Sequence, residues 1–265
     1  GSGIRHYGNQ LMRSGKGVGR RFALLFTHYH WDHVQGLPFF VPSYIPQNTF
    51  QVFGPVSHGQ GHGVRPTVRQ MLEAQQSSPH FPVAHAALPA NMEYHDLPSQ
   101  FSRHFELLAN DKMRPWWETN GDIVSESGDF VVVSVPLAHP NGCLGYLILC
   151  DGKSFLFCTD HLPGLHATHS ITSICAKYAP KGVDLFIGDA QYTDEELAGP
   201  QQTFGHGSAT SVIRDGREIG ARQIGLHHHD PDRTDIDLLN LSLAAQRANT
   251  DLVIHNVRQG QVWEL

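Results

Sequence analysis

The sequence predicts a mixed α/β (α+β) fold in one domain spanning residues 1–265, and three observations point there. Apolar runs rich in Val, Ile, Leu and Phe recur along the chain, as in Phe130-Val131-Val132-Val133-Ser134-Val135-Pro136, and read as buried strands. Stretches with helical character at 209–220 and 234–248 separate the later ones. Several runs end directly in His or Asp, which gathers ligand-type side chains at strand ends, where loops on a rigid sheet build sites. At 265 residues and 40% hydrophobic, the chain can bury a sizeable core.

Taken in order, residues 4–20 form a polar, glycine-bearing lead-in, helical around His6 to Met12. A strand at 22–27 follows, Phe22-Ala23-Leu24-Leu25-Phe26-Thr27, and Gly36 to Pro42 close a short helix. Phe50 to Pro55 read as a strand ending in a turn. Residues 57–63, Ser-His-Gly-Gln-Gly-His-Gly, read as an exposed glycine loop; on the rival reading His58 and His62 ride on a lid. Val64 to Gln76 have helical spacing. Residues 77–120 look irregular, and the region 57–120 is expected to form a cap or insertion over the site.

Regularity returns at Phe130–Pro136. It continues with strands at 147–150 and 154–158 around an Asp151-Gly152 hairpin turn, and with a strand over 183–190 that carries Asp189. A helix at 209–220, a strand from Arg222 to Leu226, a helix at 234–248 and a strand at 252–254 complete the chain. No internal repeat is visible.

Composition excludes some functions. Charged residues are 17% of the chain and the formal net charge is −6, which argues against a long nucleic acid as main partner. Arg13, Lys16, Arg20 and Arg21 form a local basic run, read as a solvated face. No stretch of 18 apolar residues suggests a membrane span. Cys143, Cys150, Cys158 and Cys175 lack C-x-x-C spacing and read as buried small residues in or beside strands, so the expected setting is a reducing cytoplasm. The expected partners are a small-molecule substrate and a second copy of the chain in a homodimer.

The densest chemistry is His28-Tyr29-His30-Trp31-Asp32-His33, directly after the first strand. On an extended backbone His28 and His30 share a side and can reach one cation. Asp32 suits the N-cap of a following helix, and with His33 would turn towards a second cation. Imidazole and carboxylate donors suit zinc, with manganese or iron as alternatives. Downstream, His139, Asp160 and His228 also sit at strand ends.

The H-x-H-x-D-H cluster after an apolar strand resembles the signature of the metallo-β-lactamase superfamily. The resemblance implies a four-layer αββα sandwich with two divalent metal ions. In that family a few strands and a D-x-G-type turn precede the cluster. Gly1-Ser2-Gly3 reads either as an appended leader or as the tail of that turn, and the first N-terminal strands are missing from this stretch. Carried over by motif, His28, His30 and His139 would bind the first ion, Asp32, His33 and His228 the second, and Asp160 would bridge both. His139 lies in H-P-N-G-C-x-G-Y and Asp160 in F-C-T-D. Of Leu226-His227-His228-His229-Asp230-Pro231, His228 aligns best, with His227 the runner-up. His161 reads as a supporting or surface group.

Two ions about 3.5–4 Å apart lower the pKa of a bridging water and polarise a phosphoryl or carbonyl oxygen, so hydrolysis is the expected reaction. Gly205-His206-Gly207-Ser208 resembles the G-H-S/T motif of the phosphodiesterase branch, which includes ribonuclease Z and the cyclic phosphodiesterases. Asp189 stands where ribonuclease Z-like sequences carry glutamate. The candidate catalytic residues are thus Asp32, His206 and Asp189, and the expected substrate is a small or cyclic phosphodiester. Two rivals remain: a lactonase or thioesterase-type hydrolase with an acyl pocket from Phe39, Phe40, Trp116 and Trp117, and a non-catalytic metal-binding domain.

Overall fold

The computed structural model describes residues 1–56, 65–110, 112–115, 118, 123, 126–163 and 171–265. Their contacts divide into two compact units, Gly1–Pro98 and Ser99–Leu265.

The first unit is built on a three-stranded parallel sheet in the order β1 (Arg21–Leu25), β2 (Thr49–Pro55) and β3 (Asn91–Leu97). Helix α1 (Gly3–Arg13) opens it. Gly3 is the first residue of that helix, so Gly1-Ser2-Gly3 leads directly into a helix start. A short α2 (Trp31–Val34) follows β1, and Leu37–Phe39 and Val41–Tyr44 are 3-10 turns, each with proline in its first turn. Helix α3 spans Val68–Gln75, beginning later than the spacing suggested because Thr67 and Gln70 form a capping box there. Phe22 stacks on Phe50 at 4.8 Å and meets Phe40 edge-on at 5.7 Å, which locks β1 to β2 and to the 3-10 segment. The Asn48 side chain ties three loops together. It accepts from the Arg20 backbone N–H and donates to the Gly17 and Pro42 carbonyls.

The second unit carries an eight-stranded sheet in the order β11-β10-β9-β8-β7-β6-β4-β5. Its strands are β4 (His104–Leu107), β5 (Met113–Pro115), β6 (Phe130–Leu137), β7 (Cys143–Cys150), β8 (Lys153–Cys158), β9 (Leu185–Asp189), β10 (Gln223–His227) and β11 (Val253–Asn256). Helices α4 (Ile171–Tyr178), α5 (Asp194–Leu197), α6 (Ala209–Glu218) and α7 (Asp235–Ala248) connect them. The irregular reading of 77–120 is corrected: β3, β4 and β5 all fall within it. Polar residues and proline interrupt their alternation, so pairing rather than pattern makes them strands. Helix α4 was also not foreseen.

Val131, Val133 and Val135 of β6 are fully buried and pack with Leu147, Leu156, Phe186, Ile224 and Leu226 in one core. Asp151 and Gly152 both have positive φ, the two-residue turn that the right-handed twist of β7 and β8 favours. At the start of the parallel strands the Asp184 carboxylate accepts from the Ser154 backbone and hydroxyl and from Arg222, pinning β8, β9 and β10 together. Cys143, Cys158 and Cys175 are buried thiols, although Cys175 lies in α4 rather than beside a strand. No helix among the described residues is long and apolar enough to cross a membrane.

Candidate functional site

In the first unit the chain leaves β1 at Leu25, passes Phe26 and Thr27, and sets three imidazoles side by side. The His28 ring lies 4.5 Å from that of His30 and 4.2 Å from that of His33. His28 is buried, and its Nδ1 shares a hydrogen bond of 3.1 Å with the Thr27 hydroxyl. The N-cap expectation for Asp32 is corrected: His30 holds that position, extended at φ −63° and ψ 151°, and Asp32 falls inside the first turn of α2. Its carboxylate is thereby free of a capping role. It lies 2.7 Å from His33 Nε2, with 57% of its side chain open to solvent. Trp31, between these groups, is the most exposed aromatic of the cluster, and sequence reasoning had assigned it nothing.

In the second unit β6 and β8 both run antiparallel to β7, and β9 and β10 run parallel to β8, so all four share one direction. His139, Asp160, Asp189 and His228 therefore gather past the carboxyl ends of neighbouring strands, where sheets of this kind hold their ligands. Asp160 and His228 have positive φ, 52° and 58°, which non-glycine residues adopt where the surroundings fix them. Asp160 is 2% exposed and turns its two oxygens to different partners. Oδ2 lies 3.6 Å from His139 Nε2 and Oδ1 lies 3.3 Å from His228 Nε2. Two imidazole nitrogens facing opposite oxygens of one buried carboxylate form a donor set that suits a borderline divalent cation such as zinc.

Supporting bonds orient these groups. His139 Nδ1 donates to the Gly205 carbonyl at 2.8 Å, which directs Nε2 towards Asp160. Gly205 has φ +88°, and a Cβ there would come within 2.7 Å of that same nitrogen. The Thr159 hydroxyl donates to Asp160 Oδ1 at 2.6 Å. Asp189 accepts from three sides: the His206 ring Nδ1 at 2.9 Å, the His161 backbone at 3.0 Å and the Gln191 backbone at 3.1 Å. The His206 ring lies face to face with His228 at 5.0 Å, and Asp189, His206 and His228 each offer a ligand atom within 4.8 Å of the others. His227 instead turns its ring towards Phe157, at 5.4 Å. Burial holds the His161 imidazole well below its ordinary pKa, at about 4, and its Nδ1 accepts from the Ala138 backbone. The role of the Gly205 carbonyl depends on a contact between distant parts of the chain and has no sequence signal.

Phe40 is 1% exposed and part of the first unit's core, which corrects its assignment to an acyl pocket. Phe39 is exposed and meets Phe81 edge-on. His58, His62, Trp116 and Trp117 lie outside the described residues.

Solved structures share this architecture. The metallo-β-lactamase fold protein YhfI from Bacillus subtilis superposes with a TM-score of 0.55 at 13% identity, covering 91% of this chain and 77% of its own. The chain has the metallo-β-lactamase fold. Human tRNase Z, short form, superposes with a TM-score of 0.57 at 18% identity, covering 97% and 83%. Zn(2+)-bound PqqB from Methylobacterium extorquens gives 0.53 at 14% identity over 92% and 73%. Among curated sequences, ribonuclease Z from two strains of Porphyromonas gingivalis is 22% identical over 258 residues, or 82% of this chain and 74% of the relative. No protein-family model matches the chain.

Proposed function

We propose that this chain is a metal-dependent hydrolase that cleaves phosphodiester bonds. The ligands would be His28, His30, Asp32, His33, His139, Asp160 and His228. The observation that carries the reading is the Asp189–His206 pair, hydrogen-bonded at 2.9 Å and stacked against His228.

Two divalent ions, zinc first and manganese or iron as alternatives, would acidify a water and stabilise charge on the phosphoryl oxygens. The remaining steps belong to the chain. The solvent-open Asp32 carboxylate takes a proton from the attacking water. His206, held through Nδ1 by Asp189, gives a proton from Nε2 to the leaving oxygen, and the Asp189 carboxylate stabilises the imidazolium before transfer. Trp31, exposed between two ligand residues, offers a face on which a base or aryl group can stack.

The net charge of −6 supports a small or cyclic phosphodiester. The likeness to ribonuclease Z and to tRNase Z supports an RNA instead. The deciding experiment is hydrolysis of bis(p-nitrophenyl) phosphate by zinc- or manganese-loaded protein beside a chelated control, followed by cyclic nucleotides and a structured RNA in competition. Chelator-sensitive turnover that falls roughly 10²–10⁴-fold in His206→Ala, with ions retained, supports the proposal. Unchanged turnover in that variant removes the role of His206. Ion uptake with turnover only of lactones or thioesters overturns the phosphodiester reading, and uptake with no turnover leaves a metal-binding domain.

A further inference from the structure

We infer that His161 is a positioning residue that sets the ligand geometry at the ends of β6 and β8, an inference that rests on the metal-centre reading above. Past the start of β7, where no strand separates them, β6 and β8 approach each other directly. Ala138, the residue before His139, there receives a hydrogen bond at its carbonyl from the Leu162 backbone at 2.8 Å. Its own N–H donates to His161 Nδ1 at 3.2 Å, so a side chain completes the pairing where backbone gives out. An N–H donor at that position requires a lone pair on Nδ1, which fixes the tautomer of the ring.

The backbone N–H of the same residue donates to Asp189 Oδ2 at 3.0 Å, the oxygen that also accepts from His206. One residue thereby joins three strand ends: β6 through Ala138, β8 through its neighbour Asp160, and β9 through Asp189. Because His139 and Asp160 each adjoin a residue of this clamp, the His139 Nε2 to Asp160 Oδ2 approach of 3.6 Å depends on it. Hydrogen bonds behind the ligands commonly contribute about 10–100-fold to metal affinity.

The test uses replacements that differ in one atom's position. In His161→Asn the side-chain carbonyl can occupy the place of Nδ1 and accept from Ala138, whereas in His161→Gln the extra methylene carries it past that point. His161→Leu removes the acceptor outright. Cobalt(II) affinity by chelator competition and the cobalt ligand-field spectrum are read for each, with amide exchange at Ala138 followed in the metal-free chain. The expected result is wild-type affinity, spectrum and Ala138 protection in Asn. Gln and Leu are expected to bind about 10–100-fold more weakly, with an altered spectrum and faster Ala138 exchange. Equal behaviour of Asn and Gln overturns the inference, whether both match wild type or both are impaired. A wild-type chain that takes up no cobalt overturns the metal reading and this inference with it.

Discussion

At the scale of single residues, the cluster in the second unit is held by groups whose orientation depends on one atom. Gly205 is the sharpest case. Its φ of +88° excludes most side chains, and its carbonyl accepts the His139 Nδ1–H that aims the ring. Gly205→Ala would add strain of about 1–3 kcal/mol and press a methyl against that nitrogen. The expected outcome is a lowered melting temperature together with weaker zinc uptake. Loss of stability with unchanged uptake would separate the turn from the ligand. The cluster His28 to His33 was legible at this scale because its residues are consecutive and side-chain spacing on extended chain is fixed. Asp32 was misjudged as an N-cap, since its sequence position suits either role and only the actual helix start, at Trp31, decides between them. His139, Asp160, Asp189 and His206 were legible as residues, and as partners only through the family resemblance, because their contacts span up to 68 positions.

At the scale of elements, apolar and β-branched content revealed β1, β2, β6 and β8 to β10, and it failed for β3, β4 and β5. Those strands carry Asn91, Glu93, His95, Asp96, His104, Glu106 and Arg114, and their strand character comes from the neighbours they pair with. One buried polar network also escaped notice. The end of α3 is fixed to β3 through His85, whose Nδ1 faces Gln76 at 3.3 Å and whose Nε2 faces the Tyr94 hydroxyl at 2.9 Å. Burial lowers the His85 pKa to about 4 from the ordinary 6.5. Between those values the unfolded chain binds the proton and the folded chain resists it, so stability rises with pH across that window. The contribution is complete above pH 6.5 and is lost as pH falls towards 4, on the order of 3 kcal/mol in all. Urea unfolding midpoints measured from pH 7 to pH 4 should show this fall in wild type and a flatter profile in His85→Gln. Parallel profiles would assign the acid sensitivity elsewhere.

At the scale of the whole molecule, ions bound at the proposed centre should stabilise the folded chain. Ions held at 100 times their dissociation constant stabilise by about 2.7 kcal/mol. For a chain of this size that is roughly 5–10 °C in melting temperature. Calorimetry should show the melting temperature of chelated protein rise by this amount on zinc addition, and an unmoved melting temperature would count against ion binding. The direction shared by β6, β8, β9 and β10 has a further consequence, in the order of events during synthesis. The β6–β7–β8 meander closes through short local turns, so His139 and Asp160 can meet as soon as β8 is made. His228 is 68 positions beyond Asp160. At 5–20 residues per second it is made about 3–14 s later. On the ribosome, then, the ring that turns in through a left-handed backbone at His228 arrives last, as a latch on a half-built cradle.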